Sequence, residues 1–228
     1  MLEGYTAYIV AGASTTLKIA LSSLAVATVL GLVGAACRLA SHPLLNRSAE
    51  AYSTLVRGVP DLVLMLLVFY GGQVAANSLL ESLGLPAVDF DQFIAGVLTL
   101  GFIYGAYLSE TFRGALLAVP RGQWEAGWAY GMSRPRVFLR VVLPQMIRLA
   151  IPGYTNNWLV LTKATALVSV IGLQDMMYRA REAGAATREP FTYLLVVGAV
   201  YLMITTVSLL LLRALERRTS AGVRMGEM

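Results

Sequence analysis

The sequence has very few of the residues that build disulfides, metal sites and histidine-based catalysis. It contains one cysteine, Cys37, and one histidine, His42, in 228 residues. A single cysteine excludes an intrachain disulfide and a cysteine-based zinc site. A single histidine argues against a histidine metal cluster and a histidine-based catalytic triad. We therefore expect neither a metal site nor a catalytic site.

Lysine is almost as scarce. The only two lysines, Lys18 and Lys163, are followed by isoleucine and alanine. The chain therefore has no Gly-Lys-Ser/Thr sequence of a phosphate-binding loop. If ATP drives this protein, a partner must hydrolyse it.

Charged residues of all kinds are few. The chain is 57% hydrophobic and 14% charged, with a mean hydropathy of +0.66, which is too apolar for an ordinary soluble domain of this size. In a soluble protein the net charge of +5 would suggest nucleic acid. Here the arginines sit in short loops between apolar runs, where orientation in a lipid bilayer explains them better. We expect a bilayer as the surroundings and no nucleic-acid partner.

Five apolar segments approach or exceed the length of about 20 residues that a membrane-spanning helix needs. They cover 19–37, 62–80, 92–109, 149–174 and 190–212. Only Lys163 interrupts the fourth, and Gly31 and Gly34 in the first favour close helix packing. The sequence predicts an all-α membrane protein with five transmembrane helices, forming a single domain over 1–228 with its core at about 12–213.

The arginines are concentrated in alternate loops, which predicts the orientation. They cluster in 38–61, in 110–148 and in the tail, where Arg213, Arg217, Arg218 and Arg224 lie. Segment 81–91 is acidic and has no basic residue, and 175–189 has balanced charges. Because basic loops face the cytoplasm, we predict the N-terminus outside and the C-terminus in the cytoplasm.

The long loop 110–148 carries a patterned segment. We predict a helix near 123–130, a turn at 131–133, and a second helix capped by Ser133 with Pro135 in its first turn. The small residues Ala126, Gly127 and Gly131 would let another backbone approach closely, and Glu125 offers that partner one charged group. This pattern favours a docking loop over a connector without a partner.

The spacing Glu125-Ala126-Gly127, three residues, Gly131, nine residues, Val141-Val142-Leu143-Pro144 resembles the cytoplasmic EAA loop of ATP-binding-cassette (ABC) importer permeases. Gly127 and Val141 are mild departures from it. Further segments resemble the polar amino-acid branch of that family, and most of all the Q-type permeases of histidine/lysine/arginine/ornithine importers: 57–64, 107–114, 119–123, 156–158, 163–167 and 215–218.

The resemblance implies a type I ABC importer (MetI-like) permease fold in a bacterial inner membrane. It implies a heterodimer with an M-type permease, two cytoplasmic ABC ATPase subunits that bind ATP and Mg²⁺, and a periplasmic substrate-binding protein. In this scheme loop 120–148 couples ATP hydrolysis to transport through Glu125, Ala126, Gly127, Gly131, Leu143 and Pro144. The N-terminus would be periplasmic, and this chain would hold no cofactor itself.

Ionisable groups at membrane depth cost about 2.5–3.5 kcal/mol on insertion, so each one needs a reason. Lys163 lies on the same helical face as Asn156, next to a stripe of Thr155, Thr162 and Ser169. This polar face should meet protein or water. Either it lines a translocation path, or it holds helices together through hydrogen bonds and an ion pair of Lys163 with Asp61 or Glu110.

Two carboxylates are the other candidates for substrate binding. Asp61 either favours the positive end of the second span's helix dipole or receives a cationic group of a substrate amino acid. Glu110 either pairs with Arg113 or shares that substrate role. The candidate substrate-binding set is therefore Asp61, Glu110, Asn156, Asn157 and Lys163, and Lys18 is expected to snorkel to the outer surface without a function.

Three other functions remain open at this stage. A permease for opines or other polar amino acids would share every feature above. An ion-coupled secondary transporter would use Asp61, Glu110 and Lys163 as ion sites, although five spans without an internal repeat fit it poorly. A membrane enzyme would use the two carboxylates as an acid/base pair, but no nucleophile motif supports it.

Overall fold

The computed structural model describes residues 2–219, and this part of the chain is helical with no strand. Five helices are long and apolar enough to cross a membrane. We call them spans 1 to 5: Leu2–Leu39, Asp61–Ser82, Gln92–Leu117, Arg134–Ile171 and Pro190–Thr219. The prediction of an all-α chain with five spans is confirmed. Arg224 and the side chains of Arg217 and Arg218 lie outside the described residues.

Three shorter helices join the spans. The surface helix spans Pro43–Gly58. The loop helix, Arg121–Ala129, matches the helix predicted near 123–130. The connecting helix, Met176–Thr187, was not predicted, because its mixed charges hide its one apolar face.

Span 4 begins earlier than its apolar run. Its first residue is Arg134, with Ser133 at the capping position but without a side-chain capping hydrogen bond. The helix winds as a π-helix over Phe138–Val142, just before Pro144. Proline has no N–H and its ring displaces the carbonyl four residues earlier, so a local widening of the helix is the expected response. The second helix predicted in the loop is thus the start of span 4.

Spans 1 and 3 pack closely along a seam of glycines, which confirms the expectation for Gly31 and Gly34. A Cβ atom at Gly34 would lie 2.6 Å from Oγ of Ser109, and one at Gly101 would lie 2.5 Å from Cγ1 of Val26. Real Cβ atoms do not approach this closely. Side chains of each helix therefore reach the backbone of the other at a distance that only glycine permits.

The segment between spans 2 and 3 runs back along span 2. The backbone N–H of Val88 donates to Oδ1 of Asn77 at 2.9 Å, and the Gln73 amide donates to Asp89 at 3.0 Å. Span 3 consequently starts beside the middle of span 2. The first residue of span 2 is thereby brought level with the middle of span 3.

Candidate functional site

Asp61 lies at half the depth of the helix bundle. Its Oδ2 accepts a hydrogen bond of 3.2 Å from the Tyr104 hydroxyl. Tyr104 comes twelve residues after Gln92 in a 26-residue helix, which is about 18 Å along it at 1.5 Å per residue. The half-buried carboxylate is therefore far from either end of span 3, although it lies in the first turn of its own span 2, so its position is compatible with both the helix-dipole and the substrate interpretation.

Two tyrosines on span 3 lie between this carboxylate and an arginine. The Tyr104 and Tyr107 rings stack with centroids 5.6 Å apart. The Arg57 guanidinium lies 5.5 Å from the centroid of Tyr107, a cation–π distance. Tyr104 is buried, Tyr107 is half-buried and Arg57 is exposed. An anion and a cation thus flank two aromatic rings, and sequence reasoning did not single out Arg57.

Glu110, one turn further along span 3, is fully engaged with basic side chains. Its Oε2 accepts from Arg113, with N–O distances of 2.8 and 2.9 Å. Its Oε1 lies 3.5 Å from Nε of Arg38 and accepts from the Ser53 hydroxyl at 3.4 Å. Both carboxylate oxygens are occupied, which favours the ion-pair interpretation over the substrate role. The Arg38 partner could not be inferred, because it belongs to another span.

Asn157 joins span 4 to span 3. Its amide donates to the Thr111 hydroxyl at 3.1 Å and to the Gly153 carbonyl at 2.8 Å. A Cβ at Gly153 would lie 2.7 Å from Cγ2 of Thr111, so the helices also touch there. The stripe of Thr155, Thr162 and Ser169 is buried, with exposed fractions of 7%, 0% and 5%. That stripe faces protein, as predicted.

Asn156 and Lys163 lie on the opposite side of span 4, where both are exposed. Among the described residues no carboxylate lies within 4.0 Å of Lys163. The alternative of an ion pair with Asp61 or Glu110 is therefore wrong. The reason is geometric, since Asp61 is bonded to Tyr104 and Glu110 is paired with Arg38 and Arg113, while Lys163 faces outward. A lysine there avoids the cost of contact with lipid only if it faces a partner subunit or water.

The loop helix is fastened to the start of span 4. A Cβ at Gly127 would lie 2.7 Å from Cγ2 of Val137, and the Gln145 amide donates to Gln123 at 3.1 Å. Gly127 is buried and Val137 has no exposed surface. The expectation that Gly127 leaves room for a partner is wrong, because Val137 of the same chain fills that room.

Gly131 lies in the turn after the loop helix, where the backbone conformation accounts for a glycine. Gly131 has φ +73°, and no atom lies within 4 Å of a Cβ built there. The N–H of Met132 donates to the Gly127 carbonyl at 3.1 Å, as in a glycine-terminated helix end. Glu125 and Ala126 are exposed beside this turn. These two residues and the open space at Gly131 are what the loop offers to another molecule.

Leu143 and Pro144 complete the predicted coupling set. Leu143 is half-buried and packs against the hydrophobic core, and Pro144 is exposed directly after the π-helical segment. Both residues belong to span 4, the helix against which the loop helix packs. Nothing in their position requires contact with another subunit.

Asp175, which sequence reasoning missed, is a buried carboxylate outside the spans. Only 1% of it is exposed. Its Oδ1 accepts from the N–H of Tyr178 at 2.8 Å, capping the connecting helix, while Oδ2 has no hydrogen-bond partner among the described residues. Burial raises the pKa of Asp175 to about 6, against hydrogen bonds from backbone N–H groups that lower it. The sequence signal that could have identified Asp175 is an aspartate directly before a helix, which is a preferred capping residue.

Comparison with known families decides where this architecture belongs. Residues 27–221 match the model of the family described as binding-protein-dependent transport system inner membrane component. The chain belongs to this family. This permease is thus an inner-membrane component of a transport system, in agreement with its five spans.

Two curated relatives of the permease are named for basic amino acids and for an opine. It is 50% identical, over the full length of both chains, to the histidine/lysine/arginine/ornithine transport system permease protein HisQ of Escherichia coli (strain K12). It is 39% identical to the octopine transport system permease protein OccQ of Rhizobium radiobacter, over 92% of this chain and 90% of that one.

Solved structures share the fold of the permease. An amino acid ABC transporter crystallised with histidines matches with a TM-score of 0.83 and 30% identity, over 95% of this chain and 96% of that one. The MetNI methionine ABC transporter in an inward-facing conformation matches with a TM-score of 0.74 over 96% and 99%. At 18% identity the second match shows the fold alone. The predicted type I importer fold is confirmed.

Proposed function

We propose that this chain is the permease subunit of an ATP-driven importer of basic amino acids, namely arginine, lysine, ornithine and histidine. The observation that carries the proposal is the 50% identity, over 228 residues, to a permease named for these four substrates. The carboxylate of Asp61 at half depth suits a cationic cargo.

The assembly that we propose has four kinds of subunit. An M-type permease covers the exposed side of span 4, where Asn156 and Lys163 need a polar neighbour. Two cytoplasmic ATPase subunits bind ATP and Mg²⁺, and a periplasmic binding protein delivers the amino acid. The N-terminus is periplasmic and the C-terminus cytoplasmic.

Coupling follows from the attachment of the loop helix. An ATPase that binds Glu125 and Ala126 would displace the loop helix. The buried Gly127 of this helix packs tightly against Val137. Densely packed contacts transmit such displacements. Because Val137 belongs to span 4, closure of the two ATPases moves span 4 first. Alternating access then changes the side of the membrane to which the central cavity opens.

Substrate recognition centres on Asp61. A carboxylate in a partly dry cavity attracts a cation far better than it would in water. Glu110 is the second candidate, although two arginines already neutralise it. Lys163, Asn156 and Asn157 are proposed to contact the substrate from span 4, and the exposed Lys163 and Asn156 are better placed for that than Asn157, which is bonded to Thr111.

The test is arginine uptake by the reconstituted importer carrying Asp61→Asn. Losing one charge-assisted hydrogen bond to the substrate should weaken its binding by about 10–100-fold. Assembly and basal ATPase activity should stay close to those of the unmodified complex. Asp91→Asn is the matched control, because Asp91 also begins a span but is exposed at its outer end.

Two results would contradict the proposal. A lower yield of complex with unchanged uptake per complex would make Asp61 a structural residue. Uptake of octopine in preference to arginine would favour the second candidate, an opine permease, which the 39% identity to a permease of that name supports.

A further inference from the structure

Arg57 is a charged residue that lies over an aromatic ring without a salt bridge to any described residue. It ends the surface helix, and its guanidinium covers Tyr107 near the middle of span 3. Among the side chains that the structure describes, no carboxylate lies within 4.0 Å of it. An exposed, unpaired arginine at this depth is too costly to face lipid. Its exposed side must face water, a solute or a partner subunit.

Asp61 is separated from Arg57 by the two stacked tyrosines. The two charged groups form no salt bridge with each other, although only the corner 58–60 lies between them in the sequence. Tyr107 contacts the guanidinium and Tyr104 donates to the carboxylate. The site thus offers a cation at one end, an anion at the other and an aromatic floor in between.

This separation limits how one amino acid can use both groups. The α-ammonium and α-carboxylate of a substrate are attached to the same carbon, so they cannot reach two charges that lie two rings apart. The cationic end of a lysine or arginine side chain can. An aliphatic stem across the tyrosine rings would also bury apolar surface.

We infer that Arg57 binds the α-carboxylate of the substrate while Asp61 binds the cation at the far end of its side chain. Guanidinium suits this role because it pairs with a carboxylate through two parallel hydrogen bonds. Arg57 and Asp61 together would then select substrates by the length of their side chain as well as by its charge. This inference rests on the proposed function and assigns the orientation of its substrate.

The experiment measures competition with radiolabelled arginine on the purified complex, using lysine and three analogues. Cadaverine lacks the carboxylate, norleucine lacks the distal amine, and 2,3-diaminopropionate has both groups on a shorter side chain. The unmodified complex should bind lysine more tightly than any of the three. Arg57→Gln should weaken lysine by about 10–100-fold and leave cadaverine unchanged.

Arg47→Gln is the matched control, because Arg47 is exposed on the same helix ten residues earlier and should leave all four affinities unchanged. If Arg57→Gln does not assemble, Arg57→Lys serves instead, since it keeps the charge but loses the paired hydrogen bonds. It should weaken lysine and spare cadaverine.

Specific results would overturn the inference. Equal weakening of lysine and cadaverine would make Arg57 a structural residue, and an unchanged preference for lysine over cadaverine would exclude it from carboxylate binding. Tight binding of 2,3-diaminopropionate would exclude the distal assignment of Asp61. Failure of the proposed function would give a distinguishable result, because the unmodified complex would then bind lysine no better than norleucine.

Discussion

Asp175→Asn should stabilise the permease at neutral pH and abolish part of its pH dependence. The pKa of Asp175 is raised from 3.8 to about 6 in the folded protein. Because a tenfold change in a proton-binding constant is worth about 1.4 kcal/mol, the ionised carboxylate destabilises the folded state by about 3 kcal/mol well above pH 6. Asparagine keeps the helix cap and removes the charge.

The sign of the pH effect follows from proton uptake. Because the folded-state pKa lies above the unfolded one, the folded protein binds more protons between about pH 4 and pH 6. Stability of the unmodified protein should therefore rise as the pH falls through this range. At about 2–4 °C per kcal/mol for a chain of this size, the variant should unfold about 6 °C or more above the parent at pH 7.5, and the difference should shrink as the pH falls and vanish below about pH 4.

The assay is the thermal midpoint of the purified protein in detergent at several pH values. Asp91→Asn is the control, since Asp91 caps span 3 in the same way, by accepting from Ile94 at 2.8 Å, but is exposed. It should leave the midpoint unchanged at every pH. If Asp175→Asn instead lowers the midpoint at pH 7.5, the second carboxylate oxygen has a partner that holds it charged, and the reasoning is refuted.

The remaining predictions concern orientation and coupling. A phosphatase fused after Glu81 should be active and one fused after Arg121 inactive, because basic loops stay in the cytoplasm; the opposite pattern would reverse the proposed orientation. Gly131→Trp should abolish the coupling of ATP hydrolysis to arginine uptake, whereas Gly131→Asn should retain most of it, because asparagine tolerates positive φ and adds little bulk; normal uptake by the tryptophan variant would exclude ATPase docking at this turn.

The sequence predicted those features that depend on local pattern. Long apolar runs identify five spans because a bilayer leaves few other structures for them. The beginning of span 4 was less visible, since Arg134, Arg136 and Arg140 interrupt hydropathy without interrupting the helix. The connecting helix was hidden for the same reason.

Features that depend on contacts between distant segments were not predictable in this way. Glu110 could be paired with Arg113 from spacing alone, but Arg38 reaches it only through the packing of spans 1 and 3. The sequence pattern around Gly127 predicted a docking residue. Only the position of Val137 shows that Gly127 packs within the chain itself. The depth of Asp61 depends on the segment that folds back beside span 2.

The glycine seam between spans 1 and 3 has a mechanical consequence. Because Gly34 meets Ser109 and Gly101 meets Val26 without spare room, sliding or rotating one helix against the other would drive side chains into backbone. We therefore expect these two spans to move together as one unit, so that the rearrangement in the proposed transport cycle occurs in the spans around them. Span 3 carries Tyr104 and Tyr107, so the floor of the proposed site stays fixed while its walls move.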